Sequence, residues 1–299
     1  MLKKQKKVIK KTTQRLPDWF RVSKGKLNAT KSLSKQLMAE VPNSICEEAK
    51  CPNRFECFKK GVLTFMILGT TCTRNCAFCS VAHGKPLPPN PGEIKNIFNA
   101  IEKLNLKFVV LTSPNRDDLP DGGASHYAYM IKEIKNKYPH IKVEVLIPDF
   151  QGDLTAVKTV VDAKPDVLNH NMETVPSLYT IAKRGSLFKR SLSVLAAVKA
   201  MNSSMLTKSG LMVGLSETMD ELYETIEAIR SAHVDILTLG QYLQPTKDNL
   251  PIAKYYSLAE FDQLKGYAEQ HGFPFVFSGP LVRSSYLAEN VFEEVLTPC

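Results

Sequence analysis

Cysteine is scarce in this 299-residue chain, seven residues in all, and tryptophan occurs once. No run of about 18 apolar residues exists, so no segment has the make-up of a membrane-spanning helix. The N-terminus carries no apolar signal segment, which argues against secretion and with it against a disulfide framework. A C-x2-C-x2-C-x3-C-P run is missing, and with it the mark of a ferredoxin-type electron carrier. Paired C-x2-C knuckles, the usual frame of structural zinc, are missing too. His83 lies close to Cys79, but it reads as a solvated loop histidine rather than a fourth ligand.

What cysteine there is stands in two tight groups. Cys72, Cys76 and Cys79 form a C-x3-C-x2-C run, and Cys46, Cys51 and Cys57 form a C-x4-C-x5-C run. Thiolates suit iron–sulfur clusters, and a four-iron cluster normally takes four protein ligands. A triplet leaves one iron without a thiolate, open to another ligand and hence to chemistry. Two triplets predict two clusters, each with something unusual at its fourth iron. Cys299, the last residue, falls outside both groups and is given no role.

Composition fits a globular enzyme of cytoplasmic type, with 43% hydrophobic and 8% aromatic residues. The net charge of +9 is concentrated at one end. Residues 1–35 hold twelve Lys or Arg against Asp18 alone, which leaves the remainder close to neutral. The run from Met1 to Lys11 has no interleaved aromatics to stack on bases, so nucleic acid is not the expected partner. A solvated, partly disordered tail is expected there, and an acidic protein partner would suit it. Arg15 to Arg21 reads as an anchored segment, because Trp19 must pack somewhere. Residues 27–45 read as a polar helical stretch.

From residue 62 onward short apolar strands alternate with helical stretches. Strands are expected at Val62–Leu68, Phe108–Thr112, Val143–Ile147, Val167–His170, Ser209–Val213 and Ile236–Leu239, with Phe273–Phe277 closing the chain. Helices are expected near 93–105, 124–137, 153–162, 188–201, 218–231 and 257–270. This rhythm predicts an α/β fold, a parallel sheet curled into a partial (β/α)6 TIM-like barrel. Its organisation is an N-terminal arm and extension over 1–61, the barrel over 62–278 and a closing segment over 279–299. Active sites of such barrels gather at the C-terminal ends of the strands. The second cysteine triplet, the charged loop from Thr112 to Gly123, Asn169 to Glu173 and Gly240 to Gln244 all follow strands.

Taken together, these motifs resemble the lipoyl synthase family within the radical S-adenosylmethionine superfamily. The C-x3-C-x2-C run with Phe78 before its last cysteine is similar to the superfamily signature. The stretch Ile45 to Phe58 is similar to the family's own triplet, as are Thr112 to Ala124, Asn169 to Pro176, Thr207 to Leu215, Leu237 to Pro245 and Ser278 to Tyr286. The likeness runs over about residues 15–290. It implies insertion of two sulfur atoms at carbons 6 and 8 of an octanoyl chain borne by a lipoyl carrier protein or domain. It implies two [4Fe-4S] clusters, S-adenosylmethionine as radical source, and an electron donor such as ferredoxin or flavodoxin. Cys72, Cys76 and Cys79 would hold the catalytic cluster. Cys46, Cys51 and Cys57 would hold an auxiliary cluster consumed as sulfur donor, with Ser285 of Arg283-Ser-Ser-Tyr286 as fourth ligand. Phe78, Ser113, Asn115, Arg116, Asn171 and Glu173 are the expected contacts of S-adenosylmethionine. Two departures stand out: Leu287 where many members carry His, and Ser216 where Gly is usual. A biotin-synthase-like sulfur-inserting enzyme would share the second triplet but lack the first and the Arg-Ser-Ser-Tyr motif.

Overall fold

The computed structural model describes residues 9–20 and 62–285. Within them seven strands form one sheet: β1 (Val62–Met66), β2 (Phe108–Thr112), β3 (Lys142–Leu146), β4 (Val167–Asn169), β5 (Leu206–Val213), β6 (Ile236–Gln241) and β7 (Phe275–Gly279). They follow one another in space in chain order, and every pairing is parallel. Six helices of nine or more residues connect them: α1 (Glu93–Leu104), α2 (Ala124–Lys137), α3 (Leu154–Asp162), α4 (Phe188–Met201), α5 (Met219–Ser231) and α6 (Leu258–Gln270). Because β1 and β7 end the strand order and are not paired with each other among the described residues, the barrel is partial, as the alternation of elements predicts.

Local sequence explains the elements. All of β2 is buried, as expected of a parallel strand covered on both faces. Capping boxes start α5 at Thr218–Glu221 and α6 at Ser257–Glu260, and Asp153 caps α3. Outward-facing Leu63, Val109, Val143 and Leu168 share an apolar shell with Ile97, Ile131 and Val157 of the helices. A second shell, with Leu211, Val213, Leu237 and Leu239 against Ile226 and Leu264, serves the β5–β7 half.

Strand β5 starts earlier than the expected Ser209, because Thr207 and Lys208 are polar yet fully buried. Lys208 Nζ meets Glu144 of β3 at 3.1 Å, and Asn169 of β4 donates to the same carboxylate at 3.2 Å. Charges this deep survive only when paired, and no hydropathy pattern reveals the partner. Strand β1 ends at Met66 rather than Leu68, because Leu68 and Gly69 turn into left-handed conformation with φ of 65° and 85°.

Part of the N-terminal segment is docked. Ile9 packs against the second apolar shell, and Thr12 N donates to Ile252 O at 2.7 Å. Trp19 meets Tyr255 edge-on at 6.2 Å, which fits the anchoring expected of the lone tryptophan. The end of the basic run is therefore not a free tail, while residues 1–8 and the helical stretch expected at 27–45 lie outside the described residues.

Candidate functional site

The bend after β1 delivers the cysteine loop to the C-terminal mouth of the barrel. Glu93, at the start of α1, accepts from Leu68 N at 2.9 Å and Gly69 N at 3.0 Å, while His126 Nε2 lies 3.0 Å from the same carboxylate. Gly123 is required opposite, since a Cβ there would fall 2.3 Å from Leu68 Cδ1 and its φ is 93°. The loop is then closed at its base by Thr71–Cys72 pairing with Ala82–His83.

The three sulfurs differ in setting. Cys72 is buried, and its Sγ receives the backbone N–H groups of Arg74 and Asn115, both at 3.3 Å. Cys79 Sγ receives Val81 N at 3.5 Å. Cys76 Sγ has only a weak contact, 4.0 Å from Arg184 O. Although Cys76 and Cys79 keep some exposed surface, protein surrounds them closely. Burial pushes the Cys76 thiol up to about 12, with Cys79 adding to it, and the Cys79 thiol up to about 11. A coordinated metal reverses this and holds thiolates outright.

Three free thiols on one loop are a donor set that fits an iron–sulfur cluster. Among the described residues no group of three or more His, Cys, Asp or Glu side chains is placed to hold one metal ion. In a four-iron cluster each cysteine binds a different iron, so three sulfurs around one loop need not converge on a point. Backbone N–H groups aimed at two of those sulfurs are the kind of contact that tunes iron–sulfur centres.

Two clamps hold the loop. The buried Arg74 guanidinium donates to Asp117 at 2.6 and 2.8 Å, to Asp149 at 2.7 Å and to Ser186 Oγ at 2.9 Å. Burial alone would lower its pKa, but the hydrogen bonds to Asp117 and Asp149 raise it instead. Burial likewise works against ionised Asp149, yet Arg74 holds its carboxyl down at about 2. On the other side Asn249 donates to Cys79 O at 2.7 Å and Ala77 O at 3.3 Å, and Leu250 N adds a bond to Ala77 O at 2.9 Å.

The residues expected to contact S-adenosylmethionine fall into groups. Asn115, Asn171 and Glu173 lie at the mouth: Asn115 beside Cys72, and the other two just beyond β4. Asn171 Oδ1 is buried without a partner, and burial raises the pKa of Glu173, opposed by Lys183 and by a bond from Asn171. Ser113 sits 3.0 Å from the Tyr127 hydroxyl, which itself donates to Leu146 O. Arg116 is committed elsewhere: it forks onto Asp118 at 2.8 Å twice and donates to Leu68 O at 2.9 Å, so it braces the β1 bend. Phe78 packs against the apolar shell of the β5–β7 half.

Residues the sequence did not single out also stand at or behind the mouth. His170 donates from Nδ1 to Ile147 O at 2.8 Å, which leaves Nε2 a buried acceptor without a partner. Burial, with Lys183 nearby, drops its pKa to about 3, so the ring is neutral. Lys183 Nζ donates to Asn171 O at 2.6 Å. Arg74 stands inside the cysteine motif and was open to notice there, whereas Asp149, Lys183 and Asn249 come from distant loops with no local signal.

Cys46, Cys51, Cys57, Tyr286, Leu287 and Cys299 lie outside the described residues. Ser285 is half-buried at their edge. Just before it the chain turns back against β6: a Cβ at Gly240 would sit 2.1 Å from Val282 O and 3.2 Å from Arg283 Nη1. A cavity of about 480 Å³ opens beside Cys79, walled by His83, Arg184, Asp248 and Asn249 among others. No helix of the described residues is long and apolar enough to cross a membrane.

Comparison with known proteins gives a consistent result. A model of the radical SAM superfamily matches residues 66–229. Lipoyl synthase of Caldicellulosiruptor saccharolyticus is 50% identical over 274 residues, 92% of this chain and 96% of that protein. Lipoyl synthase of Methylococcus capsulatus is 48% identical over 277 residues, covering 92% and 86%. Among solved structures, methylornithine synthase shares the fold with a TM-score of 0.54 at 12% identity, over 72% of this chain and 71% of that one.

Proposed function

This chain belongs to the lipoyl synthase family of the radical S-adenosylmethionine superfamily, and from that membership we propose that Cys72, Cys76 and Cys79 hold its catalytic [4Fe-4S] cluster while Cys46, Cys51, Cys57 and Ser285 hold a second, sulfur-donating one. The reaction is the family's: two sulfur atoms enter at carbons 6 and 8 of an octanoyl chain on a lipoyl carrier protein or domain. The observation that carries the assignment is the loop itself, three sulfurs at the barrel mouth with N–H groups directed onto Cys72 and Cys79.

When bound, the cluster and S-adenosylmethionine supply a carbon radical able to take hydrogen from unactivated C–H bonds, which no side-chain base can do. The chain's own part is to hold and shelter. Asn171 and Glu173 offer acceptors and a carboxylate at the mouth for the amino acid and ribose groups of the cofactor. Lys183 beside Asn171 O keeps that segment in place. Cys46, Cys51, Cys57 and Ser285 would hold the auxiliary cluster, and the return of Val282 and Arg283 against Gly240 of β6, just before Ser285, supports a ligand from this end of the chain. Serine oxygen is a harder and less matched ligand for iron than thiolate, so it suits a position that must open. An electron donor such as ferredoxin or flavodoxin supplies the reducing electron, and a cytoplasmic setting suits this chemistry.

Metal counting on anaerobically reconstituted protein tests the assignment. About eight irons per chain are expected, and about four after either triplet is replaced by alanine. The Cys72, Cys76, Cys79 variant should lose 5′-deoxyadenosine formation. The Cys46, Cys51, Cys57 variant should keep it and form no carbon–sulfur bond on an octanoyl-lysine peptide. Lipoyl product from the latter variant would refute the donor role.

A further inference from the structure

Arg74 sits inside the cysteine loop, two residues beyond Cys72, yet its side chain points away from the sulfurs and into protein. It reaches the loop after β2 through Asp117, the loop after β3 through Asp149, and the turn before α4 through Ser186. Gly185 makes room for it, with φ of 80° and a would-be Cβ only 3.2 Å from Arg74 Cδ. Arg190 adds a second cation to Asp149 at 3.4 Å, so two cations balance two carboxylates. The same stretch is laced to the neighbouring loop through its backbone. Thr73 N and Oγ1 both donate to Asn115 O at 3.0 Å, and Asp117 N donates to Thr73 Oγ1 at 3.1 Å. These bonds set where Arg74 N and Asn115 N stand, and those two N–H groups are the donors to Cys72 Sγ.

We propose that Arg74 is a positioning residue of the catalytic cluster: its guanidinium locks the cysteine loop to three other barrel units before metal arrives, and it fixes the two N–H groups that bond the Cys72 sulfur. This rests on the assignment of Cys72, Cys76 and Cys79 to the cluster. A forked, planar guanidinium is needed because three acceptors from different loops must be met at once. Lysine can supply the charge but not the fork. Hydrogen bonds to ligand sulfur and a nearby cation both favour the more negative, reduced state of a cluster, so losing them lowers its potential.

The test compares Arg74→Gln, Arg74→Lys and Asp117→Asn in the full chain. Asp117 is partly exposed, so Asp117→Asn removes one arm of the clamp without stranding a deeply buried charge. With metal removed by chelation, amide exchange over residues 72–79 should speed up on the order of tenfold in Arg74→Gln, less in the other two. In protein reconstituted with iron and sulfide, the reduction potential of the cluster should fall in the same order, with Arg74→Lys nearest to wild type. The proposal is overturned if all three variants exchange and titrate like wild type and differ only in melting temperature. Loss of iron at Cys72, Cys76 and Cys79 even in wild type would instead refute the cluster assignment itself.

Discussion

On the outer face of the sheet, Leu63, Val109 and Leu168 share an apolar shell with Ile97, Ile131 and Val157. At the C-terminal mouth, at the end of β4 and in the loop after it, Asn169 Oδ1, His170 Nε2, Asn171 Oδ1 and Thr174 Oγ1 are all buried without a partner. The shell gains free energy from every side chain it encloses, roughly 1.5–3 kcal/mol for a large apolar one. The mouth loses some for each orphaned acceptor, about 1–3 kcal/mol. A fold tolerates such a concentration of unmet acceptors only where something else is to meet them. The contrast separates what holds the barrel together from what the barrel is for.

That contrast can be broken or sharpened by substitution. Ile131→Ala, in the middle of the shell, should cost about 2–5 kcal/mol in chemical denaturation while leaving S-adenosylmethionine binding of the surviving folded protein unchanged. A loss of binding in proportion to stability would erase the distinction.

Acid should act on the mouth before the shell. His170 has its pKa lowered from 6.5 to about 3, so the unfolded chain binds its proton first, and stability falls as pH drops from about 6.5 toward 3. Asp149, lowered from 3.8 to about 2, adds a further loss as pH falls below 3.8. Melting temperature against pH should therefore decline less steeply between 6.5 and 4 in His170→Gln than in wild type.

Asn171→Ala should do the reverse of the shell variant. Relief of the unpartnered acceptor is offset by loss of the bond from Asn171 to Glu173, which leaves stability within about 1 kcal/mol of wild type. Equilibrium binding of S-adenosylmethionine to the reconstituted protein should weaken on the order of tenfold, about 1.4 kcal/mol. Unchanged affinity would remove Asn171 from the site.

The smallest effect is expected at Ser216, whose φ of 84° places a non-glycine residue in left-handed conformation. Ser216→Gly should stabilise by about 1 kcal/mol or less, since relief of that strain is offset by the greater freedom of glycine in the unfolded chain. Urea denaturation of the variant pair measures it.

Much of this protein was written locally. Strand β2 and helices α2 and α4 stand where the apolar runs and turn residues place them, because a buried parallel strand and its covering helix carry their own hydrophobic period. The cysteine spacing likewise announced its chemistry, since ligand type and interval are properties of a few consecutive residues. The start of β5 was hidden, because Lys208 is buried only by virtue of Glu144 from another strand. The clamps were hidden for the same reason: Arg74 meets Asp149, 75 residues away, and Asn249 meets Cys79, 170 residues away. Sequence alone determined the elements and the donor atoms, which depend on short-range periodicity and side-chain chemistry. Tertiary structure alone decided which charges pair, which acceptors remain open and which way each sulfur is held, because those depend on contacts between loops that meet only once the barrel has curled.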